Sequence, residues 1–442
     1  MPLSLGVKTM RMYSIKEILR KLVVPALGCT EVVSIALASA YCSSLINRNS
    51  IDFIELWLSP DVFRNAFGVI IPKTKGLRGP QFASALGAFG GDPLLKMEVL
   101  SGITSKDIDR AVKLVEEGKV KVNVVDKRGL YVKVKVFDKE NVSEALIEGY
   151  QDRVVYLKLN DKKVDSKALK ESKDEKSSIL KWIRKRTLQD LFTLLEDLDK
   201  EDLCYLKEGV LRNLKLAEFG LLQRSGMGIG FSLKSLTKER RDLLKEDPVL
   251  EAKILTASAA DARMAGADLP ATSSAGSGNN GLVATIPVWV IGKALKRDED
   301  KILRAICLSH LITAKVKTYM GQLSYMCSCS IAAGAGFGGS LVYLLKGSIE
   351  QVEFSILNLI EDLTGVICDG AKPSCALKLI TAVQSGYQSA LFALKDICVS
   401  EKEGIISNTL EKSLENLELL NQKCSYVVDN TVLEILTKKL NL

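Results

Sequence analysis

The residues best suited to chemistry in this sequence are cysteines that stand among glycines and small side chains between residues 321 and 378. Four of the ten cysteines lie in this stretch: Cys327, Cys329, Cys368 and Cys375. The chain has a single histidine, so a structural zinc site with mixed cysteine and histidine ligands is a poor match. Thiolates grouped in this way better suit a metal or iron–sulfur centre.

A fifth cysteine, Cys29, lies in similar company near the other end of the chain, between Gly28 and Thr30. It stands at the first turn of a predicted buried helix at 32–45, where free N–H groups and the helix dipole favour a thiolate. Its position alone is equally compatible with a small buried hydrophobic residue. We expect the fold to bring Cys29 to the 321–378 stretch.

Two other features are weaker signals of chemistry. The loop at 271–281 combines hydroxyl, amide and glycine residues before a predicted apolar helix at 282–295. Such a loop can bind an anion at the helix N-terminus, although a plain loop with a helix cap is the commoner use of the pattern. His310 lies in a predicted helix at 302–317, where a lone histidine is more often a core residue than a catalyst. A Ser–His–Asp hydrolase would depend on His310 alone.

The periodicity of the chain predicts an α+β fold, with a large, mainly helical bundle domain and a smaller α/β subdomain that contains an antiparallel sheet. Residues 1–50 are expected to form N-terminal helices that join the catalytic helical core, 51–162 the α+β subdomain, and 163–442 the helical catalytic domain. The predicted elements of the subdomain are strands at 51–58, 67–71, 119–125, 130–137 and 153–159, and helices at 80–90, 104–117 and 141–149. The strands at 119–125 and 130–137 are expected to pair as an antiparallel hairpin.

Composition narrows the possible partners and location. The net charge is +8, from 61 basic and 53 acidic residues, but no compact basic patch is interleaved with aromatics, so we expect no nucleic-acid partner. The cysteines are too sparse for a disulfide scaffold and we recognise no secretory signal, which favours a reducing cytoplasm. The uncharged stretch 318–345 is long enough to span a membrane, but its glutamine, serines and glycines favour a buried central helix and no membrane partner.

A set of motifs carries a resemblance to a known family. The motifs are P-A-L-G-C-T-E (25–31), R-N-A-F-G-V-I-I-P (64–72), A-D-A-R-M-A-G (260–266), A-G-S-G-N-N-G (275–281), S-H-L-I-T (309–313), G-Q-L-S-Y-M-C-S-C (321–329) and C-D-G-A-K-P-S-C-A-L-K (368–378). In this order they resemble the L-cysteine desulfidase family, relatives of the iron–sulfur L-serine dehydratase α chain. The C-D-G-A-K motif and the glycine–asparagine loop are the specific ones.

The resemblance implies an oxygen-sensitive [4Fe–4S] cluster held by three cysteines, and the breakdown of L-cysteine to sulfide, ammonia and pyruvate. It implies Cys29 and Cys368 as ligands, with either Cys327 or Cys329 as the third and Cys375 kept open. The chain departs from the family pattern at Asn280, where glutamine is usual, which puts the substrate more in doubt than the reaction type. An iron–sulfur L-serine dehydratase and a non-catalytic iron–sulfur redox or sulfur sensor are the alternatives.

The resemblance also suggests roles for other residues. The candidates for the base that removes the α-proton are Lys372, His310 and Glu31. The candidates for binding the substrate are Ser277, Gly278, Asn279 and Asn280 for its carboxylate, with Asn65 and Arg263 as further polar contacts. The expected partner is a small amino-acid substrate, and self-association into a homo-oligomer is left open.

Overall fold

Two hydrophobic cores organise the fold in the computed structural model, which describes residues 13–165, 175–241 and 247–440. The larger core is built from the helices after residue 175 together with the first helix, α1 (Ile15–Leu22), which begins with a capping box at Ser14 and Glu17. The smaller core takes most of its side chains from residues 26–157. The first 50 residues are therefore divided between the cores, because α2 (Thr30–Ser43) packs into the smaller one.

The smaller core covers one face of a six-stranded sheet. Its strands are β2 (Phe53–Leu58), β3 (Val120–Val124), β4 (Tyr131–Phe137), β5 (Val142–Glu148), β6 (Val154–Leu159) and β7 (Lys162–Lys163), in the spatial order β3-β2-β4-β5-β6-β7. The helices of this region are α2, α3 (Pro60–Phe67), α4 (Pro80–Gly90) and α5 (Ser105–Glu116). Alternate residues of β2 and β4 are buried, and α2 packs against β4 and β5. The α+β fold class is confirmed.

Pairing within the sheet differs from the prediction. The hairpin expected between 119–125 and 130–137 is wrong, because β2 lies between the two strands and pairs parallel with β3 and antiparallel with β4. Alternation along a strand identifies which face is buried but carries no information about the neighbouring strand. The crossover through α3, α4 and α5 makes the parallel pair possible.

Two local assignments are also wrong. Residues 141–149 were expected to be helical but form β5, which pairs with β4 over seven residues. The five consecutive buried residues of β5 hide its period of two. The strand predicted at 67–71 is absent from the described residues, since α3 begins after the Ser59 cap with Pro60 in its first turn and occupies the chain as far as Phe67. Ile70 makes only an isolated bridge with Arg78.

The larger core is a bundle of helices. They are α6 (Glu175–Arg184), α7 (Leu188–Glu196), α8 (Lys200–Gln223), α9 (Ile229–Glu239), α10 (Pro248–Met264), α11 (Gly278–Ala294), α12 (Glu299–Met320), α13 (Ala332–Leu344), α14 (Ile349–Leu363), α15 (Cys375–Ala393) and α16 (Leu410–Leu440). The expected central helix at 318–345 is buried but broken, because the chain leaves the helix between α12 and α13 to form a loop. No helix among the described residues has both the length and the apolar character needed to cross a membrane.

Candidate active site

A short strand pair places the N-terminal ends of two helices side by side. β1 (Pro25–Ala26) pairs antiparallel with β8 (Ala271–Thr272). Shortly after these strands, Cys29 is the N-cap of α2 and Ser277 is the N-cap of α11. The guanidinium of Arg263 links the two segments, because it donates to the Gly28 carbonyl at 2.6 Å and to Asn279 Oδ1 at 2.9 Å. The glycine–asparagine loop is thereby held next to Cys29.

Two backbone hydrogen bonds join the cysteine-bearing loops. The Cys327 N–H donates to the Val366 carbonyl at 2.8 Å, and the Cys368 N–H donates to the Tyr325 carbonyl at 2.7 Å. Cys375 is the first residue of α15, with its Sγ 3.8 Å from the Gly370 carbonyl oxygen. The thiols of the two loops and of α15 therefore lie near one another.

These elements enclose a cavity of about 700 Å³, part of which is open to solvent. Ten residues named from the sequence line it: Cys29, Glu31, Asn65, Arg263, Ser277, Asn279, Cys327, Cys329, Cys368 and Cys375. The expectation that Cys29 reaches the 321–378 stretch is thus met. Five thiols and the N-terminus of α11 face the same space.

The thiols differ in their surroundings. Burial and the neighbouring Glu31 carboxylate raise the pKa of Cys29 well above its usual value, and its thiol donates to Glu31 Oε2 at 3.0 Å. In the 321–329 loop, a hydrogen bond from Cys329 lowers the pKa of Cys327 to about 6. The same bond, with burial, raises the pKa of Cys329. Cys327 is therefore the thiol of this pair that gives up its proton first.

Four of the residues named from the sequence do not line the cavity. Gly278 lies behind Arg263, because a Cβ added there would be 2.4 Å from Arg263 Nε. Asn280 is fully buried and accepts a hydrogen bond from Ser328 Oγ at 3.0 Å. It therefore connects α11 to the cysteine loop.

The other two are candidate bases. His310 Nδ1 is 2.9 Å from Ser274 Oγ, and burial lowers the pKa of the imidazole to about 3. Lys372 forms an ion pair with Asp369 at 2.5 Å and donates to the Gly370 carbonyl at 3.2 Å. Neither nitrogen faces the space between the thiols and α11.

Lys317 is a cavity residue that the sequence analysis missed. It lies on α12, is buried, and donates from Nζ to the Ala275 carbonyl at 2.8 Å. Burial lowers its pKa, while Glu31 and Cys329 act in the opposite direction. Its signal in the sequence is a lysine in an apolar helix, seven residues after His310 and thus on a similar face.

A single metal ion and an iron–sulfur cluster require different arrangements of thiol ligands. Among the described parts of the chain, no three side chains of His, Cys, Asp or Glu are close enough to hold a metal ion. A single zinc ion needs its sulfur ligands at about 2.3 Å from one point. An iron–sulfur cluster binds each thiolate through a separate iron, which spaces the sulfurs around a cavity. The five thiols line one cavity, and thiolates are the ligands that iron–sulfur clusters use.

The sequence is similar to a known family over most of its length. The profile of the serine dehydratase alpha chain matches residues 97–434. A UPF0597 protein of Desulfatibacillum aliphaticivorans is 43% identical over 434 residues, which cover 97% of this chain and 98% of the relative. A UPF0597 protein of Clostridium tetani is 36% identical over 431 residues, covering 96% and 98% respectively. This chain belongs to the serine dehydratase alpha chain family.

Proposed function

We propose that this protein is an iron–sulfur lyase that eliminates hydrogen sulfide from L-cysteine and thereby yields pyruvate and ammonia. The observation that supports it most is the single cavity in which thiols from three parts of the chain face the N-terminus of α11. Membership of the serine dehydratase alpha chain family supports a lyase of this general type. The choice of L-cysteine is the finer part of the proposal.

The proposed cofactor is a [4Fe–4S] cluster. Cys29 and Cys368 would hold it together with either Cys327 or Cys329, and Cys375 lies close enough to substitute. When bound through three thiolates, the cluster supplies an iron with an open position, a Lewis acid for the leaving atom of the substrate. A sulfur leaving group suits such an iron better than an oxygen leaving group does, because sulfur is the softer donor and iron–sulfur clusters favour soft ligands.

The N-terminus of α11 is the proposed binding site for the substrate carboxylate. Its first-turn N–H groups and helix dipole attract an anion. Ser277 and Asn279 line the cavity at this point, and the Arg263 guanidinium holds the Asn279 amide in place. The buried guanidinium adds positive charge beside the carboxylate.

Lys317 is the proposed proton acceptor. Its Nζ faces the cavity from α12, and burial favours the neutral amine by lowering the pKa. A neutral amine at Nζ can take the α-proton of the substrate. Glu31 is less available for this step because its Oε2 already accepts a hydrogen bond from Thr30 at 3.1 Å.

The proposal can be tested on protein purified without air. We expect about four iron and four sulfide per chain, and equal amounts of hydrogen sulfide and pyruvate from L-cysteine, with L-serine slower. The variant Cys368→Ala should lose the iron, whereas Cys204→Ala, which changes an exposed thiol of α8, should keep it. Pyruvate from L-serine alone would identify a serine dehydratase, and iron without pyruvate from either substrate would identify a sensor.

A further inference from the structure

Gln322 stands at the junction of two cavities. It follows Gly321, the residue that ends α12 with a positive φ of 80°. Besides the thiol-lined cavity, it lines a neighbouring cavity of about 410 Å³. The two cavities share three lining residues, Thr30, Gly276 and Gln322. Gln322 therefore lies between the two cavities.

The amide oxygen of Gln322 is buried without a partner. Among the described residues, no group donates a hydrogen bond to Gln322 Oε1. A buried carbonyl that is left unpaired costs free energy, so a native structure seldom retains one without a reason. Here the oxygen belongs to a side chain on the wall of a cavity, where a ligand can supply the missing donor.

Three other oxygens at this end of the cavity already accept hydrogen bonds. The Ala275 carbonyl accepts from Lys317 Nζ at 2.8 Å, and Asn279 Oδ1 accepts from Arg263 at 2.9 Å. Glu31 Oε2 accepts from its neighbours Cys29 and Thr30. Gln322 Oε1, in contrast, is buried and accepts no hydrogen bond within the described residues.

Gln322 also lies beside the proposed carboxylate site. A Cβ added to Gly276 would be 3.3 Å from Gln322 Oε1, so the amide oxygen stands against the residue that directly precedes the Ser277 cap of α11. An α-amino acid carries its ammonium and its carboxylate on the same carbon. A carboxylate at the start of α11 therefore brings the ammonium within reach of an acceptor next to Gly276.

We infer that Gln322 Oε1 accepts a hydrogen bond from the α-ammonium of the substrate, and that Gln322 thereby selects α-amino acids over thiols without an amino group. This inference rests on the proposed function, because the carboxylate site at α11 belongs to it. Gln322 is a binding residue, and no proton transfer depends on it.

Two thiol probes separate the ends of the substrate: cysteamine has the ammonium but no carboxylate, and 3-mercaptopropionate has the carboxylate but no ammonium. Their dissociation constants are measured by calorimetry on the cluster-loaded protein without air. Gln322→Met keeps the length of the side chain and removes the acceptor. We expect this variant to bind cysteamine at least about tenfold more weakly, because a charge-assisted hydrogen bond is lost. Its affinity for 3-mercaptopropionate should change by less than about threefold, because that probe has no ammonium to donate to Gln322.

Two further variants complete the test. Gln322→Glu restores an acceptor and should bind cysteamine at least as tightly as the wild type. Gln151→Met is the matched control, because the Gln151 amide also lies against Gly276 but lines the neighbouring cavity and not the thiol-lined one. Both probes should keep their affinity for this variant. Equal losses for the two probes in Gln322→Met, or a loss for 3-mercaptopropionate alone, would overturn the inference. A wild type that binds 3-mercaptopropionate but not cysteamine would also overturn it, whereas the absence of hydrogen sulfide release from L-cysteine would overturn the proposed function itself.

Discussion

Lys317 is the residue on which the proposed proton transfer depends. Its amine is buried at the cavity wall, whereas Lys372, named from the sequence, is paired with Asp369 away from that wall. We expect Lys317→Met to reduce kcat by about two or more orders of magnitude, since the loss of a general base has effects of that size. Pyruvate formation from L-cysteine under anaerobic conditions measures it.

Lys372→Met is the comparison for this variant. It removes the lysine of the C-D-G-A-K motif without changing the cavity lining, so its kcat should stay within a few-fold of the kcat of the wild type. Iron content, measured on both variants, shows whether the cluster is retained. If Lys372→Met loses activity while Lys317→Met retains it, the assignment of the base must be reversed.

Residue types and motifs indicated most of the cavity lining, but not its geometry. The cysteines could be recognised because thiols among glycines are an unusual composition. Lys317 could not, because a lysine in a helix usually faces water. Gln322 lies within the 321–329 motif, but no feature of the sequence indicated a role for it. Only the packing of α12 against its neighbours places both side chains at the cavity.

Among the elements, α3 and α16 are joined by a buried charge network. Arg64 of α3 forms ion pairs with Asp61 at 3.0 Å and with Asp429 of α16. It also donates to the Ser324 carbonyl at 3.2 Å, in the loop that precedes Cys327. One guanidinium thus connects the smaller core, the last helix and the cysteine loop.

This network predicts a pH dependence of stability. Burial raises the pKa of Asp61 from 3.8 to about 6, although Arg64 opposes the shift. Because the folded protein holds this proton more tightly than the unfolded chain, the free energy of unfolding should fall as pH rises from about 4 to about 6 and then level off. Relative to Asp61→Asn, the wild type should lose about 1 kcal/mol between pH 5 and pH 7.

Urea unfolding of the two proteins at several pH values measures this difference. The variant lacks the Asp61 carboxyl but shares the carboxylates outside the Arg64 network, so the contributions of those groups cancel, and the difference belongs to Asp61 and its neighbour Asp429. A difference that stays constant with pH, or that favours the wild type as pH rises, would show that Asp61 is already ionised throughout this range.

The errors in predicting the elements have a common physical cause. The helix predicted at 104–117, which has a capping box and a clear apolar face, corresponds to α5 with nearly the same bounds. β3 and β5 were misjudged because their pairing and burial are decided by other segments, namely β2 and α2. The local sequence pattern indicates which conformation a segment prefers, but it does not indicate which other segment packs against it.

At the scale of the whole molecule, the cavity lies where the two cores meet. Cys29 and α2 belong to the smaller core, whereas α12 and α13, which flank the loop carrying Cys327 and Cys329, belong to the larger one. Cys375 contacts both. A cluster ligated by Cys29 and Cys368 would therefore link the cores covalently through its iron–sulfur bonds.

Such a link should raise the unfolding temperature of the protein. A group that binds the folded protein alone raises its unfolding temperature, and we expect the cluster-loaded wild type to exceed the cluster-free protein by at least about 5 °C. Cys29→Ala should lose iron and most of this increase in unfolding temperature.

Cys42→Ala is the matched control, because Cys42 is a buried thiol of the same helix. Its Sγ donates a hydrogen bond to the Val134 carbonyl at 3.5 Å, away from the cavity. It should lower the unfolding temperature of both forms and preserve their difference. If Cys29→Ala keeps the full increment in calorimetric scans, the cluster does not join the two cores through α2.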